Sequence, residues 1–170
     1  MTGGDTTVPL YADVLAAGMA AAAYAVYFSM PYRMIVWPVI AGMAAHTVHW
    51  WAMTAWHASL ATAAFLACLL VGAALVPIAH RLQMPLAAIG FAAVVALVPG
   101  VYVFPMLSGL VQLPTGASPE LLATTVSNGA TAALVVTGIA LGLVIPMRVR
   151  DAIIGAWNSR IRRDRSSPRG

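Results

Sequence analysis

Apolar residues run along this chain in long blocks separated by short polar or proline-bearing turns. A membrane-crossing helix needs about 20 apolar residues, at about 1.5 Å rise each, to traverse a hydrocarbon core of about 30 Å. The blocks at 8–29, 34–55, 58–79, 86–113 and 119–146 all reach that length. They are continuous and alanine-rich rather than short alternating segments, which argues against a transmembrane barrel. The pattern predicts an all-α integral membrane bundle of about five transmembrane helices. Pro99-Gly100 interrupts the fourth block, where a missing N–H and a permissive backbone predict a broken helix. Trp56-His57 leaves so short a turn that the second and third helices should form an antiparallel hairpin. Ser118-Pro119 puts a capping hydroxyl before a proline at the first helical position of the fifth.

Composition narrows the class. Of 170 residues, 61% are hydrophobic and 8% charged, against about a quarter charged in soluble domains. Disorder and water-soluble folds are excluded, and Cys68, the lone cysteine, excludes an internal disulfide. Residues 1–150 read as one five-span transmembrane domain and 151–170 as a basic cytoplasmic tail. Seven of the nine arginines lie between Arg148 and Arg169, trailing the last apolar block. That placement points to a membrane-flanking segment in contact with the bilayer, not to nucleic acid. If the fourth block crosses once, Arg33, Arg81 and the tail share one side; a re-entrant fourth block would divide them. The positive-inside rule favours the single crossing, with the N-terminus outside and the C-terminus in the cytoplasm. Trp50, Trp51 and Trp56 then mark the outer interface and Trp37 the inner one. The N-terminus lacks the basic region of a cleavable signal. Residues 148–157 are expected to continue as a surface helix, and 159–170 to be disordered.

Polar residues inside apolar blocks carry the functional information, because each costs a few kcal/mol without a partner or water. Asp13 is the one carboxylate within a confidently apolar run. It is either a proton or cation site or an interfacial residue reaching outer water. His46 and His49 share a helical face, and His57 recurs on it. They admit a metal path, but no carboxylate accompanies them, Cys68 is on another helix, neither HxxxH nor CxxC spacing occurs, and neither metal nor cofactor is expected. His46 lies near mid-membrane, where a neutral imidazole can accept a proton. Unwinding at Pro99-Gly100, with Tyr102 following, can form a substrate site, since transporters hold ligands on broken helices; the plain alternative is a kink. Asn128 calls for a partner on another helix, whereas Gly138 and Gly142 read as a close-packing pair. Arg33 at the inner mouth either attracts an anion or anchors its helix to headgroups. No nucleophile elbow, lysine, carboxylate pair or phosphate loop is present, so no enzyme is expected.

The order of Asp13, Pro31-Tyr32-Arg33, Trp37, Gly42 and His46 resembles the start of the small membrane half of the threonine/serine exporter family. Pro85, Val98-Pro99-Gly100 with Tyr102, and Asn128 followed by Gly138 to Gly142 resemble its second part. The resemblance spans about residues 10–150 and departs from the family pattern at Ala45 and His49. It implies a bacterial inner-membrane exporter of small polar metabolites, either threonine and serine or dicarboxylates such as succinate. It also implies a second five-span half as partner, or a homo-oligomer. On that reading Asp13 or His46 exchanges a coupling proton, and substrate sits between Pro99-Gly100, His46 and Asn128. The rival readings are a non-transporting scaffold using the Gly138/Gly142 face, and a histidine-dependent metal transporter.

Overall fold

The computed structural model describes residues 9–82, 86–116 and 118–166. The described residues form six α-helices: α1 (Leu10–Tyr27), α2 (Tyr32–Ala55), α3 (Leu60–Leu82), α4 (Leu86–Val94), α5 (Gly100–Gln112) and α6 (Pro119–Ser166). α1, α3 and the 119–156 part of α6 are each apolar and long enough to cross a membrane, and residues 88–97 with α5 reach that length together as one bent pair. α2 does not reach the same hydropathy, diluted by its histidines, tryptophans and Arg33. Its 24 residues nevertheless extend about 36 Å, enough to span. The all-α membrane bundle expected from the sequence is therefore the fold.

Local chemistry sets the ends of these helices. α1 stops in a Schellman turn: Ser29 N–H donates to Val26 O at 2.8 Å and Met30 N–H to Ala25 O at 3.0 Å. Ser29 is left-handed there, with φ 55°, and Pro31 prevents continuation. His57, at φ 48°, turns the chain between α2 and α3, with Ala58 N–H donating to Ala52 O at 3.2 Å, and the two helices pack as the expected hairpin. Ser118 Oγ accepts the Leu121 N–H at 3.1 Å and caps α6 as its sequence indicated. The turn expected around 80–85 falls partly outside the described residues.

The fourth block is broken where proline and glycine placed the break. Helix α4 tightens into a 3-10 turn at Val95–Leu97. Val98 is then extended, φ −61° and ψ 128°, the conformation that a following proline imposes. Pro99, at φ −80° and ψ 63°, centres an inverse γ-turn, closed by Gly100 N–H donating to Val98 O at 2.8 Å. The two arms meet at 73°. They do not return to the same end of the bundle. Gly90 faces Leu143, Gly129 faces Met106 and Gly109 faces Thr125. The bent unit therefore runs antiparallel to α6 from Leu143 to Thr125, 18 residues or about 27 Å.

Helix packing depends on small residues. Buried positions on α1 and α2 are mostly alanine and glycine, and large apolar side chains such as Val101, Phe104 and Leu134 face outward. In water such a surface would aggregate; in lipid it is the natural exterior, and close backbone approach supplies the packing energy. Gly42 sits where α1, α2 and α4 converge, with room for no side chain between the Ala93 carbonyl and Ala21. Gly138 and Gly142 press against Ala61, Phe65 and Cys68 of α3, in the most extensive helix contact of the fold. The Gly138/Gly142 face of the scaffold reading is therefore covered within this chain.

One expectation about the last helix is corrected: 159–166 is helical rather than disordered, whereas the helix continues past Pro146 through 148–157 as the sequence indicated. Proline removes one donor but leaves the helix able to continue past a bend, and the Arg-rich segment simply prolongs it.

Candidate functional site

Asp13 lies in the first turn of α1, about half a turn nearer the helix end than the apolar block implied. Its Oδ2 stands 3.0 Å from Nδ1 of His46 on α2. This is the only ion pair among the described residues. The pair is asymmetric: the His46 side chain is 12% exposed and Asp13 48%. With Nδ1 engaged by Asp13, Nε2 is the remaining polar atom of the ring. It is buried and has no hydrogen-bond partner among the described residues. A buried polar atom normally finds a partner, and Nε2 belongs to a residue that also lines a cavity.

A cavity of about 160 Å³ lies there. Its wall consists of His46 and His49 from α2, Leu60 from α3, residues 96–102 of the helix break, and Val135 from α6. That volume is below the roughly 300–1,000 Å³ typical of drug-sized ligands and suits a small metabolite. The break is what brings α5 to this point: its first turn, Gly100 to Tyr102, begins at the cavity wall. The Gly100 and Tyr102 N–H groups are taken by Val98 O and Pro99 O, and the helix N-terminus carries positive potential. No arginine or lysine lines the cavity.

The fold thus brings together Asp13, His46, Pro99, Gly100 and Tyr102 from the sequence-derived set. Two others lie apart. Asn128 is not in the cavity wall; it sits seven residues before Val135 on α6, about 10 Å away along the axis. The helix register places apolar Val135 at the site, and nothing in a lone valine within an apolar run could have signalled it. Arg33 is exposed and lies 13 residues, or about 20 Å, from His46 along α2. His49 does line the cavity, its ring 6.5 Å from that of His46, as the shared helical face allowed. Thr125 and Thr131 satisfy their hydroxyls on their own helix, at Leu121 O and Ser127 O. Among the described residues, no group of three histidine, cysteine, aspartate or glutamate side chains could hold a metal ion.

A membrane bundle with a protonatable pair opening on a broken helix has the architecture of a transporter rather than of a passive anchor. Residues 13–149 match the sequence model of the threonine/serine exporters, ThrE. The chain belongs to the threonine/serine exporter family. No curated protein and no solved structure matches it.

Proposed function

We propose that this chain is one half of a proton-coupled exporter of small amino acids, threonine or serine, in a bacterial inner membrane. The observation that carries the reading is the Asp13–His46 pair, whose second ring nitrogen is buried without a partner beside the cavity at the Pro99 break. Substrate would lie in that cavity, its carboxylate toward the first turn of α5 and its other end toward His46. Coupling needs a group that takes up and releases a proton, and His46, held by Asp13, lines the cavity. An amino acid fits better than a dicarboxylate, since two carboxylates would need two cationic partners and the wall holds no arginine or lysine. Five short helices enclose only a small cavity, which is why a second five-span half, or a second copy, is expected to complete the pathway. The N-terminus is placed outside and the basic C-terminal segment in the cytoplasm.

The test is efflux of labelled threonine, serine and succinate from cells lacking their own exporters, with the chain expressed alone and with a matching five-span partner. Threonine or serine efflux that depends on the membrane gradient is the expected result. Asp13→Asn and His46→Gln should each lower it by about tenfold or more, a barrier increase of about 1.4 kcal/mol. Unchanged gradient-driven efflux in both variants would remove the pair from the mechanism.

A further inference from the structure

We infer that His46 receives a proton and the hydrogen-bond donor of its substrate, an ammonium or hydroxyl group, at the same atom, Nε2, so that the two exclude each other. Resting on the exporter reading above, this names the part of the substrate that the site grips and the way the proton is exchanged for it.

An ionised carboxylate can only accept hydrogen bonds. The 3.0 Å contact from Nδ1 to Asp13 Oδ2 therefore holds the ring hydrogen on Nδ1. A neutral imidazole has a single N–H, so Nε2 is left as a bare acceptor. That atom is buried and unpartnered beside the cavity. It is satisfied by a donor, which an amino acid supplies twice in threonine and serine through ammonium and hydroxyl. A carboxylate offers it nothing and would meet two lone pairs facing each other.

Protonation reverses the chemistry. A proton on Nε2 makes the ring donor-only and cationic, so it repels an ammonium and cannot accept from a hydroxyl. Asp13 stays in place as the counter-charge. The other titratable groups around the ring are few: His49 on its own helix and the Tyr102 hydroxyl from α5, with only Leu60 from α3 and Val135 from α6 in the cavity wall. Neither His49 nor Tyr102 supplies a negative charge at neutral pH that would hold a substrate ammonium after His46 protonates. When substrate binds, the proton leaves Nε2 on the cavity face of the ring, because Asp13 holds the other nitrogen and its hydrogen stays there. A proton returning through the cavity takes Nε2 back and expels the substrate. Asp13 acts as a positioning residue, since its contact holds the ring hydrogen on Nδ1 and leaves Nε2 the acceptor.

The experiment uses the full chain, with its partner half where assembly requires one, in lipid nanodiscs. Nitrogen NMR of ¹⁵N-histidine-labelled protein at roughly pH 8, above the ordinary histidine range, reads the tautomer directly, with His46→Gln identifying the His46 signals. The expected state is Nδ1–H, lost in Asp13→Ala but kept in Asp13→Glu. Calorimetry of L-threonine binding in two buffers of different ionisation enthalpy then counts protons. Threonine binding should release protons at acid pH and none at roughly pH 8, and its affinity should fall as the pH is lowered. His46→Gln, whose amide oxygen can still accept, should bind threonine without proton release.

An Nε2–H tautomer with threonine efflux intact overturns the inference alone. Threonine binding without proton release, or succinate binding in the same cavity with proton uptake, overturns it as well. Failure to bind or export threonine at any pH overturns it together with the exporter reading.

Discussion

At the scale of single residues, glycines show how the same substitution can act in opposite directions. A methyl group at position 142 would lie 2.7 Å from the Phe65 carbonyl and the Cys68 β-carbon, forcing α6 away from α3. Gly142→Ala is expected to destabilise the bundle by about 1–3 kcal/mol, the usual range for overpacking. At Gly155 nothing lies within 4 Å, so Gly155→Ala should be neutral or stabilise α6 by up to about 1 kcal/mol through helix propensity. Thermal unfolding in one detergent compares the two directly, and equal effects would contradict the packing account. Gly109 faces Thr125 as tightly, and Thr125 is the one buried polar residue among those described. Its hydroxyl causes no difficulty because it bonds back to Leu121 O at 2.7 Å.

At the scale of elements, proline has two different outcomes in this chain. Pro38, Pro77, Pro105 and Pro146 lie inside continuous helices, whereas Pro99 ends one helix and opens another. The difference is its extended neighbour Val98 and the γ-turn closed by Gly100, which together turn the chain by 73°. Pro99→Ala restores the missing N–H and should let α4 and α5 merge, lowering efflux by about tenfold or more, equivalent to about 1.4 kcal/mol, with assembly preserved. Pro105→Ala, one and a half turns into α5, should leave efflux close to wild type. A scaffold would tolerate both changes, so this pair of variants also tests that rival. The break was legible in the sequence because proline and glycine act locally. The end of α6 was not: the arginine-rich stretch from 159 reads as disordered, yet the helix runs on to Ser166.

For the whole molecule, two depths agree. Arg33 lies 13 residues below His46 on α2, and Arg148 lies 13 residues below Val135 on α6, about 20 Å in each case. His46 and Val135 both line the cavity, so the arginines fall at one level, consistent with a shared cytoplasmic interface. Labelling with a membrane-impermeant thiol reagent checks this in a Cys68→Ala background, which keeps the β-carbon that meets Gly142. Ser59→Cys and Thr115→Cys should label from outside the cell, and His80→Cys only after the membrane is opened. Labelling of Ser59→Cys and Thr115→Cys from opposite sides would reject a single crossing of the bent unit and the inverse-orientation pairing of two such halves.

The amino-acid sequence by itself determined the class of protein, the helical blocks, the broken fourth helix and the short set of polar residues worth attention. Each of these follows from local properties: apolar run length, proline geometry, and the cost of a charge in lipid. Only the tertiary structure decided that Asp13 meets His46 across 33 residues, that Val135 rather than Asn128 reaches the cavity, and that the Gly138/Gly142 pair is spent on α3. These depend on the rotation and relative depth of whole helices. Many small-residue contacts, each weak, set those two quantities together, and no single position in the chain records their sum.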